Sequence, residues 1–118
     1  MFKIVYPLCC GVDVHKRFII ATIATTNDEN ITSYLTKRFD TYTEDLVTFK
    51  YWLLQHNCKD VYMESTGKYY IPVYNTLEDH VKVTVANPKY VKAIRGKKTD
   101  KKDSIWIADI FKHGLVSL

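Results

Sequence analysis

The chain has 118 residues, which is enough for one domain with one hydrophobic core and too short for two. Hydrophobic residues make up 47% of the chain and charged residues 25%, a composition that is typical of globular domains and excludes disordered and collagen-like proteins. The longest uncharged stretch, residues 18–27, has half the length of a membrane span, and no secretion signal opens the chain. We therefore expect a cytoplasmic protein.

The positive charge is concentrated in one short part of the chain. The net charge is +4. Residues 88–102, here called the basic stretch, hold seven basic residues and one acid and contribute +6, whereas the rest holds 10 basic and 12 acidic residues and contributes −2. This concentration is typical of a surface that binds a polyanion, although a solvated lysine-rich loop explains it equally well. The basic residues are Lys89, Lys92, Arg95, Lys97, Lys98, Lys101 and Lys102.

The beginning of the chain has the β-rich composition and alternation of strands. We predict strands over residues 8–14, 18–25 and 31–39. The polar run at residues 26–30 predicts a turn between the second and the third strand. The three strands are therefore expected to form an antiparallel meander.

A helix is predicted to follow the meander. Thr41 and Glu44 have the three-residue spacing of a capping box, which marks a helix start. Asn57 is expected to end this helix. Its buried side is predicted from residues at helical spacing, namely Tyr42, Leu46, Phe49 and Leu53.

Strands and helices alternate in the rest of the chain. We predict a strand over residues 59–64, a helix over 67–80, a strand over 81–86 and a last helix over 99–113. Such alternation implies parallel strands joined by right-handed crossovers. The expected fold is α/β, with element order β-β-β-α-β-α-β-α, a mixed sheet and helices on both of its faces.

Four acidic residues stand where a charge is costly unless a cation compensates it. Asp13 interrupts the apolar first strand. Glu64 ends the fourth strand, and ligands bind at the carboxyl ends of the parallel strands of open sheets. Asp100 and Asp103 lie three residues apart at the start of the last helix and so project from one helix face. Carboxylates of this kind suit Mg²⁺, and a pair of such ions serves phosphoryl transfer. Three of the acids also have an ordinary explanation: a strand end for Glu64, and a favourable helix N-terminus for Asp100 and Asp103. Asp13, inside an apolar strand, is the hardest to explain in this way.

The three cysteines and four histidines lack the paired spacings of disulfide frameworks and zinc sites. We expect the cysteines to be buried as small apolar side chains and the histidines to serve on the surface or as caps.

Three blocks of the sequence resemble the signatures of a known family. GVDVHK at residues 11–16, ESTG at 64–67 and KTDKKD at 98–103 are similar, in this order, to the blocks of the DEDD transposases of the insertion-sequence 110 family. The resemblance covers nearly the whole chain. It implies an RNase H-like domain of the RuvC type, in agreement with the strand order predicted above.

The resemblance also implies a function and a set of site residues. By matching the blocks, Asp13, Glu64, Asp100 and Asp103 would be the catalytic acids that bind Mg²⁺ or Mn²⁺, with two ions expected. The implied enzyme is a metal-dependent DNA transposase that cleaves and transfers phosphodiester strands. Lys16 and the basic stretch are expected to contact the nucleic acid.

The family suggests partners and a further domain. Its members act on DNA, and a structured guide RNA directs some of them. DNA is therefore the expected partner, and whether a guide RNA also binds is left open. A homo-oligomer, dimeric or higher, is expected for the full-length protein, in the cytoplasm of a bacterium or archaeon and without a membrane partner. Family members continue into a second domain with a catalytic serine, and we expect residues 1–118 to be the RuvC-like domain without it.

Two other classes of function stay open. The chain could be a catalytically silent module that binds nucleic acid or supports assembly. It could also be a phosphotransferase with an actin-like fold, which carries an early aspartate in its first hairpin. That class requires a glycine-rich turn after the aspartate, and residues 14–16 do not supply one.

Overall fold

A computed structural model describes residues 6–65, 67–86, 104, 105, 107 and 108, which form a mixed sheet covered on both faces. The strands are Leu8–Val14 (β1), Phe18–Thr26 (β2), Thr32–Asp40 (β3), Asp60–Ser65 (β4) and Lys82–Ala86 (β5). The helices are Thr43–Gln55 (α1) and Tyr70–Leu77 (α2).

The strand order across the sheet is β3-β2-β1-β4-β5. The first three strands pair antiparallel, and β4 and β5 run parallel to β1, so the predicted meander joined to parallel strands is confirmed. As a result β1 is the central strand, and its carboxyl end lies beside that of β4.

Two hydrophobic clusters hold the layers together. The larger one packs one face of the sheet against α1 and α2, through residues such as Val12, Met63, Phe49 and Val73. The smaller one covers the other face and includes Cys9, Ala24, Tyr62, Ala86, Ile107 and Ala108. Ser104, Ile105, Ile107 and Ala108 are helical and are called here the C-terminal helical residues. The prediction of helices on both faces is therefore confirmed.

The predicted capping box at the start of α1 is wrong. The helix begins at Thr43, after Tyr42, and no side chain caps it. The Thr41 hydroxyl instead donates to the carbonyl oxygen of Lys16, at 3.2 Å, because Thr41 is held against the turn between β1 and β2. Tyr42 is 74% exposed and does not belong to the buried side of α1, which includes Trp52 in addition to the predicted Leu46, Phe49 and Leu53.

The end of α1 follows the prediction, and α2 is shorter than predicted. Asn57 adopts a positive φ of 56° directly beyond α1, as expected for a helix stop. Residues 67–69 form a turn in which Gly67 has a φ of 70°, so α2 begins only at Tyr70. Pro72 lies in its first turn, where its missing N–H costs no hydrogen bond. Most of the predicted last helix, 99–113, lies outside the described residues.

The three cysteines are free and buried, as predicted. Burial raises the pKa of the Cys58 thiol from its ordinary 9.0 to about 12. Burial, followed by the neighbouring Cys58 and Cys9 thiols, holds the pKa of Cys10 well above its ordinary value. Both side chains are therefore uncharged at neutral pH.

None of the helices in the described parts of the chain is long and apolar enough to cross a membrane.

Candidate functional site

Asp13 and Glu64 lie side by side on the two central parallel strands. They are direct register partners between β1 and β4. Strands in a sheet are about 4.8 Å apart, so their backbones are held at that separation. The full row across the five strands is Arg38, Ile20, Asp13, Glu64 and Ala86.

Both acids face away from α1 and α2. Val12 and Met63, which precede them in the chain, belong to the larger core, and side chains alternate between the two faces of a sheet. Asp13 and Glu64 are both half-buried. The face that carries them, here called the acid face, is the one that the C-terminal helical residues cover.

The C-terminal helical residues approach the acid face at a glycine. A Cβ atom built on Gly11 would meet the backbone N of Ala108, and would lie 2.6 Å from the carbonyl oxygen of Ser104. Glycine is therefore required at this position, two residues before Asp13 on the same face. The Cys9 thiol lies 3.6 Å from the Ala108 carbonyl oxygen, which is a second contact between β1 and the C-terminal helical residues.

A chain of hydroxyl groups fixes the position of Ser104. Its Oγ lies 2.7 Å from Oγ1 of Thr22, which is itself 2.8 Å from Oγ1 of Thr36. Thr22 and Ser104 are both buried, and Thr22 is the register partner of Gly11 on β2. A buried hydroxyl group is costly without a hydrogen bond. The bond to Thr22 therefore stabilises the burial of Ser104 and orients its side chain.

Asp13 has a hydrogen-bond partner in the turn that follows β1. Nε2 of His15 lies 2.9 Å from Oδ2 of Asp13, and the imidazole stacks on the Phe18 ring with 4.5 Å between ring centroids. The side chain of His15 is 44% exposed and that of Asp13 17%, so the carboxylate is shielded but open to an ion.

The predicted site residues divide into those that the structure describes and those that it does not. Asp13 and Glu64 are brought together, and Lys16 lies exposed in the turn beyond Asp13. No group of three or more His, Cys, Asp and Glu side chains suited to a metal occurs within the described ranges. Outside those ranges lie two acids and seven basic residues, namely Asp100, Asp103, Lys89, Lys92, Arg95, Lys97, Lys98, Lys101 and Lys102.

The sequence did not reveal three residues that shape the site. His15 was expected to be an ordinary surface histidine, and its distance of two residues from Asp13 across a strand end was the available signal. Thr22 and Ser104 gave no signal, because their contact joins segments 82 positions apart.

Comparison with known proteins identifies the family. The family model of the DEDD transposases of insertion sequence 110, described as a transposase, matches residues 10–117. The chain belongs to this family. It is a transposase domain. No curated protein matches its sequence.

Solved structures share the fold of this transposase domain. Fowlpox virus resolvase, in complex with substrate Holliday junction DNA, matches with a TM-score of 0.60 at 16% identity, over 90% of this chain and 99% of the resolvase. Thermus thermophilus RuvC matches with a TM-score of 0.58 at 13% identity, over 93% of this chain and 82% of RuvC. The transposase domain therefore has the RuvC-type, RNase H-like fold that the family resemblance implied.

Proposed function

We propose that this transposase domain cleaves and transfers DNA strands at a divalent-metal site formed by Asp13, Glu64, Asp100 and Asp103. The observation that supports the proposal is the register of β1 and β4, which aligns Asp13 with Glu64 on one face of the sheet. The opposite outcome, two acids on opposite faces, would have made a shared ion impossible.

The oxygen atoms of Asp13 and Glu64 suit a hard cation. Both side chains offer carboxylate oxygens, and Mg²⁺ takes such ligands at about 2.1 Å while keeping several waters. Their backbones lie about 4.8 Å apart, a separation at which both side chains can reach one ion. When bound, two Mg²⁺ or Mn²⁺ ions would activate the attacking oxygen and stabilise the leaving oxygen of a phosphodiester.

The chain order supports adding Asp103, and with it Asp100, to this site. Asp103 directly precedes Ser104 in the chain, and Thr22 holds Ser104 over the acid face. Asp100 and Asp103 share a helix face if the predicted helix begins at residue 99.

The partner we propose is DNA, with its backbone bound by Lys16 and the basic stretch. Lys16 is exposed directly beyond the acids, and the basic stretch lies between Ala86 of β5 and Ser104. Phosphate contacts from lysine and arginine position a duplex without reading its sequence. Three further parts of the proposal are supported by family membership alone. They are a homo-oligomer, a structured guide RNA and a cytoplasmic location on DNA.

Metal binding tests the proposal most directly. The wild type should bind Mn²⁺ in a calorimetric titration, more tightly with a DNA duplex present, because phosphate oxygens complete the coordination. Asp13→Asn should weaken binding by more than about tenfold, the loss expected from disturbing a metal site. Asp79→Asn, which changes an exposed acid beyond α2, is the matched control and should bind as the wild type does.

Other results would favour the other classes. Equal Mn²⁺ affinity of the wild type and Asp13→Asn would contradict the metal site. DNA binding that needs neither metal nor the acids would instead indicate a silent binding module. ATP binding in the same calorimeter would indicate a phosphotransferase.

A further inference from the structure

The β1–β2 turn is held rigidly next to Asp13. The His15 amide donates to the Phe18 carbonyl oxygen at 2.9 Å, which closes the turn. On the other side, the Thr41 amide donates to the Arg17 carbonyl oxygen at 3.1 Å and the Thr41 hydroxyl donates to that of Lys16. The backbone that carries His15 is therefore fixed to both β2 and the β3–α1 junction.

The His15 ring is fixed independently of that backbone. It stacks on Phe18 with an angle of 21° between the ring planes. The Arg38 guanidinium lies 4.2 Å from the centroid of the same Phe18 ring and 3.4 Å from Oδ1 of Asp40. Stacking of this kind orients a ring without using its nitrogen atoms.

The remaining contact of the ring is with Asp13. Nε2–H of His15 donates to Oδ2 of Asp13, with 2.9 Å between the two heavy atoms. A carboxylate has about four lone-pair positions, so one such bond selects its rotation and leaves capacity for ion binding. Metal-ligating carboxylates are commonly held in this way by an outer hydrogen bond.

We propose that His15 is a positioning residue that holds the Asp13 carboxylate in the rotation needed to bind a divalent ion beside Glu64. This inference rests on the proposed function, because it takes Asp13 as a ligand. His15 does not touch the ion in this scheme. It acts through Asp13, and Phe18 in turn holds the His15 ring.

The test measures Mn²⁺ affinity by the loss of the free-ion electron paramagnetic resonance signal, with no DNA and no turnover. His15→Ala should weaken Mn²⁺ binding by about tenfold, the size typical of removing an outer hydrogen bond. His15→Gln, which retains an N–H donor on a side chain of similar reach, should restore most of that loss. A purely structural role of the ring would predict no such rescue, because glutamine cannot stack as an imidazole does.

Two controls separate the possible failures. His80→Ala changes an exposed histidine just before β5, at the opposite end of the sheet, and should bind Mn²⁺ as the wild type does. Wild-type affinity in His15→Ala, together with loss of binding in Asp13→Asn, would overturn the inference and leave the metal site intact. Equal affinity in the wild type and Asp13→Asn would overturn the metal site and the inference with it. Loss of affinity in His15→Ala without recovery in His15→Gln would also overturn the hydrogen-bond role.

Discussion

Gly11 of β1 and Ala108 meet backbone to backbone. No side chain separates them, and the Cα atom of Ala108 would lie only 2.8 Å from a Cβ atom on Gly11. Because Gly11 is two residues from Asp13 on the same face, this contact sets how closely the C-terminal helical residues approach the acids. The stability of the domain and the geometry of the proposed metal site are therefore linked at Gly11.

Substituting Gly11→Ala tests this link. The added methyl group must displace backbone rather than a flexible side chain, so we expect the free energy of unfolding to fall by about 3 kcal/mol, the upper part of the range for overpacked cores. Urea unfolding measures this change, and Mn²⁺ affinity should also fall.

Gly67→Ala is the matched control for that substitution. Its Cβ atom would meet nothing within 4 Å, and its positive φ of 70° makes alanine cost about 1 kcal/mol through backbone strain alone. It should leave Mn²⁺ affinity unchanged. A Gly11→Ala variant as stable as the wild type would show that the helical residues do not pack as closely as described.

Removing one of the paired charges should stabilise the metal-free protein. Like charges directly opposite on neighbouring strands repel, so Glu64→Gln should raise the free energy of unfolding by about 0.5 kcal/mol without divalent ions. Mg²⁺ should raise the melting temperature of the wild type and not that of Glu64→Gln, because a ligand stabilises only the state that binds it. Differential scanning calorimetry with and without Mg²⁺ measures both effects.

The exposed Glu78 after α2 supplies the control. Glu78→Gln should respond to Mg²⁺ as the wild type does. A Glu64→Gln variant that is still stabilised by Mg²⁺ to the wild-type extent would argue against Glu64 as a ligand.

The basic stretch should give DNA binding a steep salt dependence. Each phosphate neutralised contributes about −0.9 to the slope of log affinity against log salt concentration, so contacts by four of the seven basic residues give a slope of about −3.6. Lys97→Ala combined with Lys98→Ala should make the slope shallower by about two and weaken binding to all sequences alike. Fluorescence anisotropy at several salt concentrations measures it.

Lys59→Ala with Lys82→Ala is the control for charge alone. These exposed lysines lie at the amino ends of β4 and β5, at the sheet edge opposite to the acids. Their removal lowers the net charge equally and should change the slope little. Equal slopes in the wild type and the Lys97–Lys98 variant would mean that the basic stretch does not carry the DNA backbone.

Buried thiols should make the fold sensitive to alkaline pH. Folded Cys58 keeps its proton up to about pH 12, whereas in the unfolded chain it ionises at its ordinary pKa of 9.0. Above that lower value the unfolded state binds fewer protons, so the free energy of unfolding falls as the pH rises towards 12. Urea unfolding under reducing conditions should show that the wild type loses about 1 kcal/mol more than Cys58→Ala between neutral pH and about pH 10. Parallel curves for the two proteins would contradict this.

The sequence predicts the elements that local signals determine, and it fails where contacts between residues distant in sequence decide the structure. The strand β1 was predicted residue for residue, because an apolar run between a proline and a polar turn is a local signal. The start of α1 was not, because Thr41 is engaged by the carbonyl of Lys16, which is distant in sequence. Local propensity favoured Thr41 as a helix cap, but a tertiary hydrogen bond uses its hydroxyl group instead.

The candidate site shows the same division. Glu64 could be predicted as a strand-end acid, but its alignment with Asp13 depends on the register between two parallel strands, which no local pattern specifies. The His15–Asp13 bond depends on the shape of a turn and on Phe18 beyond it. Residue types and strand ends could be predicted, and the pairing of side chains could not.

Ala86 and Ser104, the described residues that flank the basic stretch, are attached on opposite sides of β1. Ala86 belongs to β5 and is aligned with Glu64 of β4, whereas Ser104 is bonded to Thr22 of β2. Asp13 on β1 therefore lies between two points that separate strand pairings fix. A shift in the register of one pairing would move one of these points relative to Asp13 and leave the other in place.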